Sequence, residues 1–200
     1  VSGDFYWATK KDNKFYFAVC DSTGHGVPGA FMSLLNIGYL SEAINEKGIE
    51  KPNEVFNYVR QRLIDNVSKD GQKDGFDGIL ICMESTFLLL DSARIDKNSV
   101  TLSGVEGKSF SKITYAAANN KPFLISHGNI IELTSDRMPV GMGEKKDEFK
   151  LYIIDTQNGD MLYLYTDGYA DQFGGPKGKK YKYKPLNELI YSNHQMALSQ

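Results

Sequence analysis

The chain has 200 residues, of which 41% are hydrophobic and 24% charged, proportions that suit one folded domain and exclude disordered, collagen-like and disulfide-scaffold classes. Lys and Arg total 23 against 25 Asp and Glu, so the formal charge of -2 provides no global basic field for nucleic acid or an anionic membrane. The longest apolar runs, at 79–83 and 87–90, are far shorter than the ~20 residues a bilayer crossing needs.

Val1-Ser2-Gly3-Asp4 reads as the interior of a longer polypeptide. Two segments rich in aromatic and β-branched residues, 5–10 and 14–21, flank the polar Asp12-Asn13 and predict a β-hairpin. Asp4 and Asp21 then stand at its open end on neighbouring strands. The glycine-rich loop Ser22-Thr23-Gly24-His25-Gly26-Val27-Pro28-Gly29 follows, with Pro28 suited to a helical first turn. Phe31, Leu34, Leu35, Gly38 and Ile44 recur at near-helical spacing, and Gly48 is a plausible stop, so 28–47 is predicted helical. A second, amphipathic helix is predicted over 52–68, with Val55, Phe56, Val59, Leu63 and Val67 on one face.

Further strands are predicted at 79–84, 113–118, 122–126, 130–134, 149–155 and 161–166, mostly as neighbouring hairpins, hence largely antiparallel sheets. The pattern blurs over 85–112, which reads as an insertion or extra hairpin. Cys20 and Cys82 sit in apolar runs without metal-ligand spacing and read as reduced core thiols. The basic run 177–184 (Lys-Gly-Lys-Lys-Tyr-Lys-Tyr-Lys) is either a solvated loop or a grip for an acidic or phosphorylated partner.

Three aspartates, Asp4, Asp21 and Asp167, stand next to glycines or at the ends of apolar strands, where carboxylates can converge. Clustered carboxylates repel one another unless a cation offsets them, and an all-oxygen set selects hard ions such as Mg²⁺ or Mn²⁺. Taken singly, each is also ordinary turn chemistry.

The segments Gly3-Asp4-Phe5-Tyr6, Asp21-Ser22-Thr23-Gly24-His25-Gly26-Val27-Pro28-Gly29-Ala30, Asp74-Gly75-Phe76-Asp77 and Tyr165-Thr166-Asp167-Gly168 resemble, in order, the SpoIIE-type branch of the metal-dependent protein phosphatase 2C superfamily. The resemblance runs from about residue 3 to 175, and Asn119 to Pro122 is similar to a segment that the family writes Ala-Gly-His-x-Pro. It implies an α+β fold, a four-layer α-β-β-α sandwich of two mostly antiparallel sheets flanked by helices. It also implies a binuclear Mn²⁺ or Mg²⁺ site, with Asp21 bridging both ions, the Ser22 backbone carbonyl and Asp167 as ligands, and Asp4 as a further acidic member. Asp77 is implied near an additional weak metal, with strand-end capping as its alternative. His25 is a candidate general acid, with ordering of the loop as its alternative.

The implied reaction is hydrolysis of phosphoserine or phosphothreonine on a regulatory protein by a metal-activated water. The chain would be the cytoplasmic output domain of a bacterial-type signalling protein with an upstream sensor and possible homodimerisation. The Asp-Asp-(Ile/Met)-Thr strand with which the family usually ends has no match after Asp171, so 1–200 reads as a single phosphatase domain lacking its last strand, with 185–190 as the helix before it. Two other readings stand beside this one: a non-catalytic pseudophosphatase binding module, and a nucleotide cradle at the glycine loop, which lacks the lysine of a P-loop.

Overall fold

In the computed structural model, residues 3–68, 74–84, 94–96, 99–101, 112–174 and 178–195 are described. Strands β1 (Asp4–Lys11) and β2 (Lys14–Ser22) form the expected hairpin, with Asp4 opposite Asp21 and Lys11 opposite Lys14. Helix α1 (Gly26–Ser41) begins two residues before Pro28 and ends in a wider π-helical turn at Glu42–Glu46 rather than running straight to 47. Lys47 N–H donates to the Glu42 carbonyl there, and Lys11 Nζ donates to the Ile44 carbonyl at 2.7 Å. Helix α2 (Pro52–Asn66) starts on its proline, whose missing N–H costs nothing in the first turn.

Strand β3 (Gly75–Glu84) pairs antiparallel with β2, placing Asp77 opposite Asp21. It therefore begins four residues earlier than predicted, and Asp77 lies within it rather than ahead of it. Of the segment 85–112, short strands β4 (Arg94–Asp96) and β5 (Ser99–Thr101) pair antiparallel; most of the remainder lies outside the described residues. Next come β6 (Ile113–Ala118), β7 (Phe123–Ser126), β8 (Asn129–Glu132), β9 (Val140–Gly141), β10 (Tyr152–Ile154) and β11 (Met161–Tyr163). The chain continues through a small hairpin of β12 (Phe173–Gly174) and β13 (Lys179–Lys180) into helix α3 (Tyr183–Asn193).

The larger sheet runs β1-β2-β3-β6-β10, with β9 continuing the β6 edge of β3, and the smaller one runs β11-β7-β8. Strand alternation divides the core in two. On one face Tyr16, Ala18, Cys20, Leu80, Cys82 and Ala116 meet Leu40, Val55, Phe56, Val59 and Leu63 from the helices. On the other, Phe17, Ile79, Ile81, Met83 and Tyr115 meet Leu124, Leu162 and Leu164 from the second sheet and its extension. Both cysteines are buried and free. Helix α3 lies at the second sheet's side, where Tyr191 Oη donates to the Gly128 carbonyl at 2.8 Å and Tyr165 Oη to Asn187 Oδ1 at 3.1 Å. This is an α+β sandwich of antiparallel sheets flanked by helices. Strands β10 and β11 are shorter than predicted, so Leu164 to Thr166 lie outside the strand and Asp167 opens a turn.

Candidate active site

Residues directly opposite one another in an antiparallel pair project to the same face. The registers Asp4↔Asp21 and Asp21↔Asp77 therefore set three carboxylates in a row across β1, β2 and β3, at one end of the sheet and on the face turned toward the second sheet. Gly78 pairs with Ala118, so Asn119 comes level with Asp77, and its Nδ2 donates to Asp77 Oδ1 at 2.8 Å. Asn119 takes a left-handed backbone conformation, φ 57°, as β6 ends.

Asp167 approaches from the turn after β11. A Cβ on Gly168 would come within 3.1 Å of Asp4 Oδ2, so a side chain here would press directly on that carboxylate. Gly3 is tighter still: a Cβ would sit 2.1 Å from the Ser22 carbonyl oxygen and 2.8 Å from Asp21 Oδ1. Without a side chain, Gly3 lets the Ser22 carbonyl oxygen and the Asp21 carboxylate lie directly against the first strand.

The four carboxylates feel one another. Burial, followed by the charges of Asp4, Asp167 and Asp77, pushes Asp21 up to about 6. Asp77 is raised by burial and by Asp167 and pulled back by the Asn119 hydrogen bond. Asp167 is raised by burial, then by Asp171 and Asp4, with Lys180 opposing. Like charges held this close favour either a shared proton or a cation.

The loop after Asp21 is anchored from below by α1. Ser22 N–H donates to the Gly3 carbonyl at 3.0 Å, and Thr23 N–H to the Gly75 carbonyl at 2.9 Å. The buried Ser22 hydroxyl accepts from Asn36 Nδ2 at 2.9 Å and lies 3.2 Å from Ser33 Oγ. Ser33 Oγ is also 2.8 Å from the Gly3 carbonyl and 3.0 Å from that of Gly29; its single hydrogen serves one of them at a time. His25 stands apart from this network, exposed at the N-cap of α1 with no side-chain capping bond.

The structure thus brings together Asp4, Asp21, Asp77 and Asp167, with the Ser22 carbonyl packed against Gly3 beside them. Asn119, Ser33 and Asn36 were not singled out as site residues. For Asn119 the signal lay in its segment's likeness to the family's Ala-Gly-His-x-Pro; for Ser33 and Asn36 it lay in polar residues three apart on an otherwise apolar helix.

The family model for Stage II sporulation protein E (SpoIIE) matches residues 11–200. The chain belongs to the SpoIIE family. Solved structures agree on the fold. The SiaA-PP2C domain of Pseudomonas aeruginosa superimposes with a TM-score of 0.74 at 22% identity, over 96% of this chain and 66% of that one. The PP2C phosphatase domain of SpoIIE from Bacillus subtilis, with a fragment of its regulatory domain, gives 0.66 at 17% identity, over 100% of this chain and 49% of that one. RsbX in complex with magnesium gives 0.56 at 14%, over 100% and 82%. The chain therefore spans half to two thirds of the first two structures. No curated protein matches the sequence.

The site's donor chemistry fits a hard divalent cation: all oxygen and mutually repelling. Among the described residues no three Asp, Glu, His or Cys side chains are gathered tightly enough to enclose one ion. No helix among the described residues is long and apolar enough to cross a membrane.

Proposed function

We propose that the domain hydrolyses phosphoserine or phosphothreonine on a regulatory protein, with Mn²⁺ or Mg²⁺ held by Asp21, Asp4, Asp167 and the Ser22 carbonyl. The observation that carries this reading is the carboxylate row, with the central Asp21 raised to about 6 by burial and by its three neighbours. When bound, the divalent cations would supply Lewis acidity and offset the charge of the phosphoryl oxygens.

The chain's own residues do the rest. Asp21, flanked by Asp4 and Asp77, holds the negative charge that the cations answer. Gly3 and Gly168 keep the first strand and the Asp167 turn close enough for carboxylates from opposite sides to act on one space. Ser33 and Asn36 keep the Ser22 backbone in place from beneath. Asp77, fixed by Asn119, lies at the far end of the row and is assigned to an outer, weaker ligand position. His25, exposed at the N-cap of α1, is kept as the candidate proton donor to the departing serine oxygen, with ordering of the loop as its alternative.

In the full polypeptide the domain would act as the cytoplasmic output of a sensor, alone or as a homodimer. The second reading is a non-catalytic binding module of the same fold.

Phosphate release from a phosphoserine protein, with Mn²⁺ and with chelator, separates the two. Hydrolysis that needs Mn²⁺ and falls more than about 100-fold in Asp21→Asn is expected, because even partners behind metal ligands are worth about 10–100-fold. Absence of turnover, together with a Mn²⁺ titration showing no heat, would leave the binding module.

A further inference from the structure

The basic run has a definite place in the fold. Within the described residues it builds β13 and the start of α3, folded back on the turn that carries Asp167. Phe173 pairs with Lys180 and Gly174 with Lys179; Tyr181 N–H donates to the Gln172 carbonyl at 2.9 Å and Lys182 N–H to that of Ala170 at 2.6 Å. Ala170 is fully buried, and Asp171 N–H donates to the Asp167 carbonyl at 2.8 Å, so hairpin and carboxylate turn are hydrogen-bonded into one piece. Lys180 Nζ closes the link, 2.6 Å from Asp171 Oδ2.

Two features of this piece face solvent, although Lys180 lies over the Phe173 ring and Tyr183 packs against Tyr165. Phe173 is 72% exposed, and Tyr169, Tyr181 and Tyr183 are exposed beside it, Tyr169 and Tyr181 edge to face at 5.5 Å. Lys179, Lys182 and Lys184 are exposed as well and have no ion pair among the described residues. Lys182 holds a left-handed φ of 72°, which makes the sharp corner between hairpin and helix. Exposed aromatic rings interleaved with exposed cations, on a piece hydrogen-bonded to the turn that carries Asp167, have the composition of a recognition surface for an anionic partner.

We propose that strands β12 and β13 and the first turn of α3 form the docking surface for an acidic segment of the protein substrate, next to its phosphorylated residue. The inference rests on the phosphatase reading of the neighbouring carboxylates. Charge complementarity names the occupant: Lys179, Lys182 and Lys184 are exposed cations on the piece hydrogen-bonded to the Asp167 turn, and a substrate segment with its own acidic residues pairs with them. Lys180 is committed to Asp171 and positions the hairpin; Lys179, Lys182 and Lys184 take the substrate. The rings of Phe173 and Tyr181 supply apolar area beneath the ion pairs.

The test uses two phosphoserine peptides, one with Asp and Glu flanking the phosphoserine and one with Ser and Gly there, on the wild type and on Lys179→Ala/Lys182→Ala. The ratio of kcat/KM, acidic over neutral peptide, is expected to fall about fivefold in the variant, the size of two exposed ion pairs, and the preference to fade as salt is raised. Fluorescence anisotropy of the labelled peptides reads the same ratio in Kd without turnover, so a failure of the phosphatase reading leaves this one still measurable. Equal preference for the two peptides in the wild type, or a ratio unmoved by the double substitution, would overturn it.

Discussion

Helix α2 turns Val55, Phe56, Val59 and Leu63 into the core, as its periodicity predicts, whereas the first half of α1 turns Ser33 and Asn36 inward and leaves Val27, Phe31 and Leu34 in solvent. Both helices cover the same sheet face, but what holds them differs. Area buried by α2 is apolar and would serve any sandwich of this kind. The inward face of α1 combines the apolar Tyr39 and Leu40 with hydrogen bonds from Ser33 and Asn36 to Ser22 and Gly3, the residues packed beside Asp21. One helix secures the fold alone, and the other secures the fold and a loop.

Substitutions can break this contrast or sharpen it. Phe56, fully buried and edge to face with Phe76 and Phe149, carries the largest expected effect: Phe56→Ala should cost about 3–5 kcal/mol in denaturant unfolding. A loss below 1 kcal/mol would mean that α2 is not the anchor described.

Asn36→Leu should do the reverse. Asn36 Oδ1 is buried without a partner while Nδ2 holds Ser22, so an apolar replacement removes one unmet acceptor along with one useful bond. Stability is expected to stay within about 1 kcal/mol of wild type. Turnover should fall about tenfold, as for residues that support metal ligands. Equal losses in both would make α1 an ordinary packing helix.

The acid range gives a third, gentler test. Asp21 titrates near 6 in the folded protein, above its ordinary 3.8, so between those values the native state holds more protons than the unfolded one. Stability of the metal-free protein should therefore decline as pH rises from about 4 to 6, the opposite of a salt-bridged carboxylate. Asp21→Asn should flatten that slope, and Mn²⁺ at neutral pH should raise the melting temperature of wild type alone. A stability that climbs through this range would show that the carboxylates do not repel as described.

The smallest effect is assigned to Leu34→Ser. Its side chain is 65% exposed on α1, and loss of stability should stay within about 0.5 kcal/mol.

Much of the site could be read before folding was considered. The hairpin of β1 and β2 follows from alternating aromatic residues around Asp12-Asn13, and that local pairing alone places Asp4 beside Asp21. The helix after the glycine loop, the amphipathic α2 and the helix near 185 were likewise legible, because capping, proline position and periodicity act over a few residues. Asp77 could be named but not placed, since its position opposite Asp21 depends on the register of β2 with β3. The Asn119 hydrogen bond depends in turn on β3 with β6.

The periodicity of α1 marked a helix but not its orientation: Phe31 and Leu34 lie on its outer face because Ser33 and Asn36 are taken by Ser22 and Gly3. Composition, turns and motifs thus determined the elements, the family and the aspartates, all of which rest on local conformational preference and side-chain chemistry. Only the tertiary structure decided which carboxylates share a face, which face of α1 is buried and where the lysines stand, because these depend on pairings between residues far apart in the chain, whose registers no local preference sets.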